Sequence, residues 1–232
     1  MKTIAIIVAA GKSIRLKDRV PKQFIEIQDK PILAYTMEKF EKCDLVDEIL
    51  LVVPGDYLGY CSTEIVDRFG FRKVNKIVGG GEERQDSVYN GLLAIPNNTS
   101  IVLVHDGVRP FISIYKIEES INLCKEYKAV ILALPMKETI KRVEDNYVIT
   151  TLNREKIWSV QTPQTFDYKL LLDAYKKAKE DRFVGTDDSS LIERIGVRVR
   201  VLEGEENNIK ITTKEDLILA ERLLESSKNE RR

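Results

Sequence analysis

The sequence is short of the residues on which many sites are built. Its 232 residues hold one histidine, His105, one tryptophan and three cysteines. A single histidine excludes a multi-histidine metal centre. Any metal would be held by carboxylates and substrate phosphates, which suits magnesium. Cys43, Cys61 and Cys124 are odd in number and widely spaced, with no Cys-x-x-Cys pair. That argues against a disulfide framework or a zinc site and for a reducing, cytoplasmic setting. Net charge is missing as well, since 37 Lys plus Arg balance 37 Asp plus Glu. A duplex-binding protein carries a basic excess, so no nucleic-acid partner is expected. Long apolar runs are absent. The apolar start ends at residue 10, against the ~18–20 residues needed to span a bilayer. No signal-peptide pattern follows it, and no membrane partner is expected.

What is present is the composition of a globular chain, with 43% hydrophobic and 32% charged residues. The length fits one domain covering residues 1–232, large enough to bury a core without disulfides. No repeat, low-complexity stretch or linker divides it. Residues 3–9, 48–53, 101–105 and 129–134 are continuous apolar runs, as in strands buried on both faces. A short strand at 76–78 precedes a glycine run. Helical spacing appears at 31–42, 61–69, 84–93, 114–127 and 168–180. This alternation predicts a mostly parallel, twisted, Rossmann-like sheet with helices on both faces. Ligands of such sheets sit at the carboxyl ends of the strands. The rhythm breaks after Pro135. Residues 141–143 and 147–151 flank Glu144-Asp145-Asn146, which predicts a β-hairpin arm within an insertion at about 136–160. Such a hairpin either serves a partner subunit or edges the sheet. A strand at 197–202 follows, and Thr213 to Asp216 resembles a capping box opening a helix to about Leu224.

Three loops carry candidate chemistry. The first holds Ala9, Ala10, Gly11, Lys12, Ser13 and Arg15, then Lys22. Gly-Lys-Ser is not a P-loop, because the required earlier glycine is replaced by Ile6. The small residues let the backbone approach a ligand, and Arg15 and Lys22 could neutralise a transferring phosphoryl group. A solvated basic loop with Lys17 and Arg19 is the plainer alternative. The second loop is Gly79-Gly80-Gly81 with Glu82 and Ser87, a backbone-lined wall whose serine could meet a base edge. The third is His105-Asp106-Gly107-Val108-Arg109. Asp106, an acid at the tip of a buried strand, fits a magnesium or ribose ligand. His105 has apolar neighbours, which favours a structural role over a general base. Thr139, Arg154, Thr162, Thr186 and Lys210 are scattered, and spacing alone assigns none of them.

Taken in order, AAGKSIRLKDRVPKQF, GGGEERQDSVYNGL, VHDGVRPF, ALPMKETIKRV, NREKIWSVQTPQTF, GTDDSSLIERIG and NNIKITTKEDL resemble one family across nearly the whole chain, the 2-C-methyl-D-erythritol 4-phosphate cytidylyltransferases. The resemblance implies transfer of CMP from CTP to 2-C-methyl-D-erythritol 4-phosphate, with pyrophosphate released, Mg2+ as cofactor and a homodimer built through the arm. It implies that Arg15 and Lys22 stabilise charge on the reacting phosphates. Ala9, Ala10, Gly11, Gly81, Glu82 and Ser87 would line the nucleotide, and Asp106 would face ribose and metal. Thr139 and Arg154 would reach the methylerythritol phosphate bound to the other subunit. Lys210 would position that substrate, with Arg109, Thr162 and Thr186 as further contacts. The chain departs from the family pattern at Ser13, usually glycine, which stiffens the loop, and at Leu16, commonly methionine. The attacking phosphate oxygen is already ionised, which agrees with a site rich in cations and without a catalytic histidine. The alternatives are a ribitol- or other polyol-phosphate cytidylyltransferase and a non-catalytic nucleotide-binding module.

Overall fold

A computed structural model describes residues 1–11 and 20–229. The chain runs through β1 (Lys2–Val8), β2 (Glu26–Ile27), β3 (Lys30–Pro31), α1 (Ile32–Glu41), β4 (Glu48–Val53), a short α2 (Leu58–Tyr60) and β5 (Val74–Gly79). It continues with α3 (Arg84–Ala94), β6 (Thr99–Asp106), α4 (Ile114–Tyr127), β7 (Ala129–Pro135), β8 (Lys141–Glu144) and β9 (Tyr147–Thr151). Then come β10 (Trp158–Asp167), α5 (Tyr168–Glu180), α6 (Asp188–Arg194), β11 (Arg200–Glu203) and α7 (Lys214–Asn229). Seven strands form one sheet in the order β11-β7-β10-β6-β1-β4-β5. Only β10 runs antiparallel to its neighbours.

Alternation along each strand decides which layer a residue joins. Ala5, Ile7, Ile49, Leu51 and Leu103 face Leu33, Met37 and Phe40 of α1 and Ile117 and Ile121 of α4. Ile4, Ile6, Leu50, Val52 and Val102 face Val88 and Leu92 of α3 and Leu171 and Tyr175 of α5. Both faces are covered, so the strands read as unbroken apolar runs. α7 closes a smaller cluster through Ala220, against Ile27, Ile32, Val108 and Ile211. Its start carries the expected reciprocal cap. The Asp216 N–H donates to Thr213 Oγ1 at 3.2 Å and the Thr213 N–H donates to Asp216 Oδ2 at 2.8 Å.

Some element boundaries and types differ in detail from expectation. The helix expected at 61–69 is present, π-helical over Cys61–Asp67. The strand expected at 197–202 is β11, shifted to Arg200–Glu203, and the last helix reaches Asn229. β10 and α6 were not anticipated, because the buried positions Gln161, Thr162, Gln164, Asp188 and Ser189 are polar and give no apolar period. Proline inside a run also reads against a central strand, and the β10–β7 register slips between Gln161 and Gln164, around Pro163.

The hairpin is present as β8–β9, a separate two-stranded sheet. Asp145 and Asn146 both take positive φ, 48° and 66°, as a two-residue turn matched to strand twist requires. The arm leaves at the carboxyl end of β7 and returns at the start of β10. Both lie on the edge of the sheet where the candidate loops gather.

Candidate functional site

β1 connects to β4 on one side, while its other neighbour, β6, is reached from β5. The order therefore reverses between β1 and β6, and Val8 pairs with Asp106 at that point. A crevice at the carboxyl ends is the geometric consequence. Backbone hydrogen bonds lace its loops together. The Ala9 N–H donates to Val52 O at 2.7 Å, the Gly80 N–H to Val53 O at 2.8 Å and the Gly107 N–H to Val8 O at 2.8 Å. The approach is close enough to require glycine at position 80. A Cβ there would sit 2.2 Å from the Ala10 Cβ.

Two cavities open here. The first, about 460 Å³, is lined by Ala9, Ala10, Gly11, Lys22, Gly81, Glu82, Ser87 and Val108. The second, about 470 Å³, is lined by Arg109, Ile131, Val160, Gln161, Thr162, Gln164, Thr186 and Asp187. Arg84, Asp106 and Lys210 belong to both linings and form the wall where the cavities meet.

That wall is an ion cluster. Asp106, 6% exposed, takes Arg84 Nε on Oδ1 at 3.3 Å. Its Oδ2 takes Arg109 Nε at 3.3 Å and Lys210 Nζ at 2.9 Å. Burial by itself raises a carboxyl pKa, but Arg84, Lys210 and Arg109 outweigh it and hold Asp106 well below the usual range. Arg84 has a second anion, since its Nη2 donates to Asp188 Oδ2 at 2.9 Å. Asp188 is fully buried and also accepts the Tyr175 hydroxyl. Burial opposes the Arg84 charge, yet Asp188 and Asp106 raise its pKa overall.

A buried relay aims the cluster. His105 is fully buried, and burial pushes its pKa down to about 4, so the ring is neutral at pH 7. Its Nε2 lies 3.1 Å from the Arg109 carbonyl, which can only accept, so Nε2 carries the proton. Nδ1 then accepts from the Thr162 hydroxyl at 3.0 Å, and Thr162 Oγ1 accepts the Asp106 N–H at 3.1 Å. Both ring nitrogens are used in holding Asp106 and Arg109, and none is left for a proton transfer. Across the second cavity, Gln161 Nε2 donates to Glu205 O at 2.8 Å, and Asn208 Nδ2 donates to Gln161 Oε1 at 3.2 Å. The Asn208 carbonyl accepts Arg109 Nη1 at 2.8 Å, so this clamp fixes the segment leading to Lys210.

Of the residues singled out in the sequence, Ala9, Ala10, Gly11, Lys22, Gly81, Glu82 and Ser87 come together in the first cavity. Arg109, Thr162 and Thr186 gather in the second, and Asp106 and Lys210 stand between. Ser87 is buried, and its hydroxyl already donates to Glu83 O at 3.1 Å and accepts the Gly81 N–H at 3.0 Å, bracing the glycine loop. Thr139 and Arg154 line neither cavity. Both are exposed at the arm, where Arg154 Nη1 donates to Lys137 O at 2.8 Å. Arg15 lies outside the described residues, as do Lys12, Ser13, Leu16, Lys17 and Arg19. Sequence reasoning gave no role to Arg84, which follows the glycine run, or to Gln161, Asp188 and Asn208, which stand among the scattered candidates. The doubled acid after Thr186 and the arginine after the glycine run were the available signals, but Arg84 and Asp188 are 104 residues apart and no spacing rule joins them.

Among the described residues, no group of three or more His, Cys, Asp or Glu could hold a metal. Among the described carboxylates, Asp106 alone lines both cavities. No described helix is long and apolar enough to cross a membrane.

The chain matches the family model described as 2-C-methyl-D-erythritol 4-phosphate cytidylyltransferase over residues 3–226. It is 48% identical over 231 residues to the protein of that name from Alkaliphilus oremlandii, covering 99% of this chain and 98% of the relative. It is 47% identical over 229 residues to that from Dictyoglomus thermophilum, covering 97% and 98%. Among solved structures it is similar to 4-diphosphocytidyl-2C-methyl-D-erythritol synthase from Anaerococcus prevotii. The TM-score is 0.85 at 37% identity, covering 97% of this chain and 96% of that one.

Proposed function

The chain belongs to the 2-C-methyl-D-erythritol 4-phosphate cytidylyltransferase family, nucleotidyltransferases of isoprenoid biosynthesis that move CMP from CTP to methylerythritol phosphate, and we propose that its two cavities divide the two substrates between them. The observation that carries this reading is the shared wall of Arg84, Asp106 and Lys210. A triphosphate in the first cavity and a phosphate nucleophile in the second would meet at two cations, Arg84 and Lys210, with Arg109 beside them in the second cavity. CTP lies with its base against Ala9, Ala10, Gly11, Gly81, Glu82 and the loop braced by Ser87. Asp106 faces the ribose. Arg109, Thr162, Thr186 and Lys210 hold the sugar phosphate.

The reaction is in-line attack of a substrate phosphate oxygen on the α-phosphate, with pyrophosphate leaving. The nucleophile is ionised at neutral pH, so no general base is needed. His105, neutral and engaged at both nitrogens, leaves that chemistry to the cations. Lys22 and Arg15 stabilise the charge that develops on the phosphates, and Lys210 and Arg154 orient the nucleophile. Asp106 keeps Arg84, Arg109 and Lys210 in place before substrate arrives. Asp106 would hold a magnesium ion only by exchanging Arg84, Arg109 or Lys210 for it, the ion taking its other ligands from triphosphate and water. Bound there, magnesium would neutralise triphosphate charge.

The working unit is a homodimer of single-domain chains in which the arm crosses to the partner, bringing the partner's Thr139 and the partner's Arg154 to the second cavity. An isolated two-stranded hairpin is marginal in water. This one exposes Val143, Tyr147, Val148 and Ile149, and Trp158 and Val160 at the start of β10 are exposed too, Val160 in the lining of the second cavity. The setting is cytoplasmic, which agrees with three free, buried thiols. Pyrophosphate release from CTP tests the reading. Methylerythritol phosphate should support it and ribitol phosphate should not. Equal turnover with ribitol phosphate would move the chain to the polyol-phosphate enzymes, and release with neither would leave a nucleotide-binding module.

A further inference from the structure

We propose that Gln23 is a positioning residue for Lys22, setting turnover rather than nucleotide affinity. The inference rests on the reading of Lys22 as the cation that meets the reacting phosphates. Lys22 sits in a 3-10 turn of only three residues, Lys22–Phe24. Such a turn has few bonds of its own, here Phe24 N–H to Pro21 O at 2.9 Å and Ile25 N–H to Lys22 O at 3.2 Å. What it buries therefore contributes to its placement. Gln23 is 1% exposed and Phe24 3%, and both Lys22 and Gln23 line the first cavity.

The two buried side chains do different work. Phe24 docks in an aromatic bracket, stacked on Tyr57 at 5.0 Å and edge-on to Tyr60 at 5.1 Å, which ties the turn to the segment after β4. Gln23 ties it to the nucleotide loop. Its Nε2 donates to the carbonyl of Ala9 at 2.6 Å. A carbonyl only accepts, so the amide orientation is fixed. Ala9 is itself locked to β4 through its N–H to Val52 O. The chain of contacts from β4 through Ala9 and Gln23 therefore sets the distance between Lys22 and the wall formed by Ala9 and Ala10. A misplacement of about 1 Å in a group acting on the transition state can cost on the order of a hundredfold in rate. Ground-state binding of CTP is spread over many contacts and should barely respond.

The test is a double-mutant cycle. Gln23→Met keeps the volume and removes the donor. Its kcat should fall roughly tenfold to a hundredfold, with KM for CTP moving by roughly threefold or less. In a Lys22→Ala background the same change should lower turnover no further. Multiplying losses in the double variant would overturn the proposal, because Gln23 would then act independently of Lys22. Near-normal turnover of Lys22→Ala alone would instead sink the underlying reading of Lys22. If Gln23→Met does not fold, Tyr57→Leu loosens the bracket from its outer side. It should show a smaller kcat loss that likewise vanishes without Lys22, and an additive loss there would count against the positioning role.

Discussion

The two cavities meet at one carboxylate but are built differently. The first is walled by backbone, with small residues at Ala9, Ala10, Gly11 and Gly81 letting three loops close to hydrogen-bond distance. The second is walled by side chains, with Gln161, Thr162, Gln164 and Asp187 held by bonds that span 23 to 57 positions in the chain. A backbone wall resists substitution by collision. A side-chain wall fails when one clamp is removed. The difference teaches where each cavity is vulnerable.

Among changes to the walls themselves, the largest effect should come from collision. Gly80→Ala would place a Cβ 2.2 Å from the Ala10 Cβ and 2.9 Å from Ser87 Oγ. Overpacking of this kind costs about 1–3 kcal/mol, or roughly tenfold to a hundredfold in kcat/KM for CTP. Gly79→Ala is the control, because its Cβ would meet only the Gly55 Cα at 3.9 Å. Steady-state kinetics with CTP varied would check the pair, and equal effects at both positions would remove the distinction. Next, Gln161→Leu removes the clamp that fixes Glu205 and Asn208. Unpaired buried groups cost about 1–3 kcal/mol, so KM for methylerythritol phosphate should rise roughly tenfold while KM for CTP holds. A rise in both would mean that the cavities are not separately built.

The last effect, with no change expected in turnover at neutral pH, concerns the stability of the relay between them. His105 is neutral in the fold, its pKa pushed down to about 4, whereas an unfolded histidine titrates near 6.5. Between these values the unfolded chain binds the extra proton, so stability is full above pH ~6.5 and falls as pH drops towards 4. The loss from this residue should be about 3 kcal/mol. Denaturant unfolding at several pH values would show it, and a His105→Asn chain should have a flatter slope across that window. An unchanged slope would mean that His105 is not the titrating group.

The same contrast explains what was legible in the sequence. β4 and the helices α4 and α5 were readable to the residue, because unbroken apolar runs and helical spacing are local signals. The first cavity was legible for a similar reason, since glycine and alanine clusters mark close backbone approach wherever they lie. The second was not. β10 is buried, yet it carries Gln161, Thr162, Gln164 and Thr165, whose task is to hold loops far away in sequence. Arg84 and Asp188 come together only through α3 and α6. Burial of polar groups is paid for by partners, and partners across a fold leave no period in the chain.

Turnover of mixed dimers tests most directly whether the first cavity is complete within one chain and the second is finished by another chain's arm. Lys22→Ala should impair the first and Arg154→Ala the second, each variant alone losing roughly a hundredfold or more in turnover. In a mixed dimer with a site shared across the symmetry axis, one site carries both defects and the other neither. Activity should return to about half that of the wild-type dimer per mixed dimer. Mixtures no more active than their parents, with subunit exchange shown by mass labelling, would contradict the shared site.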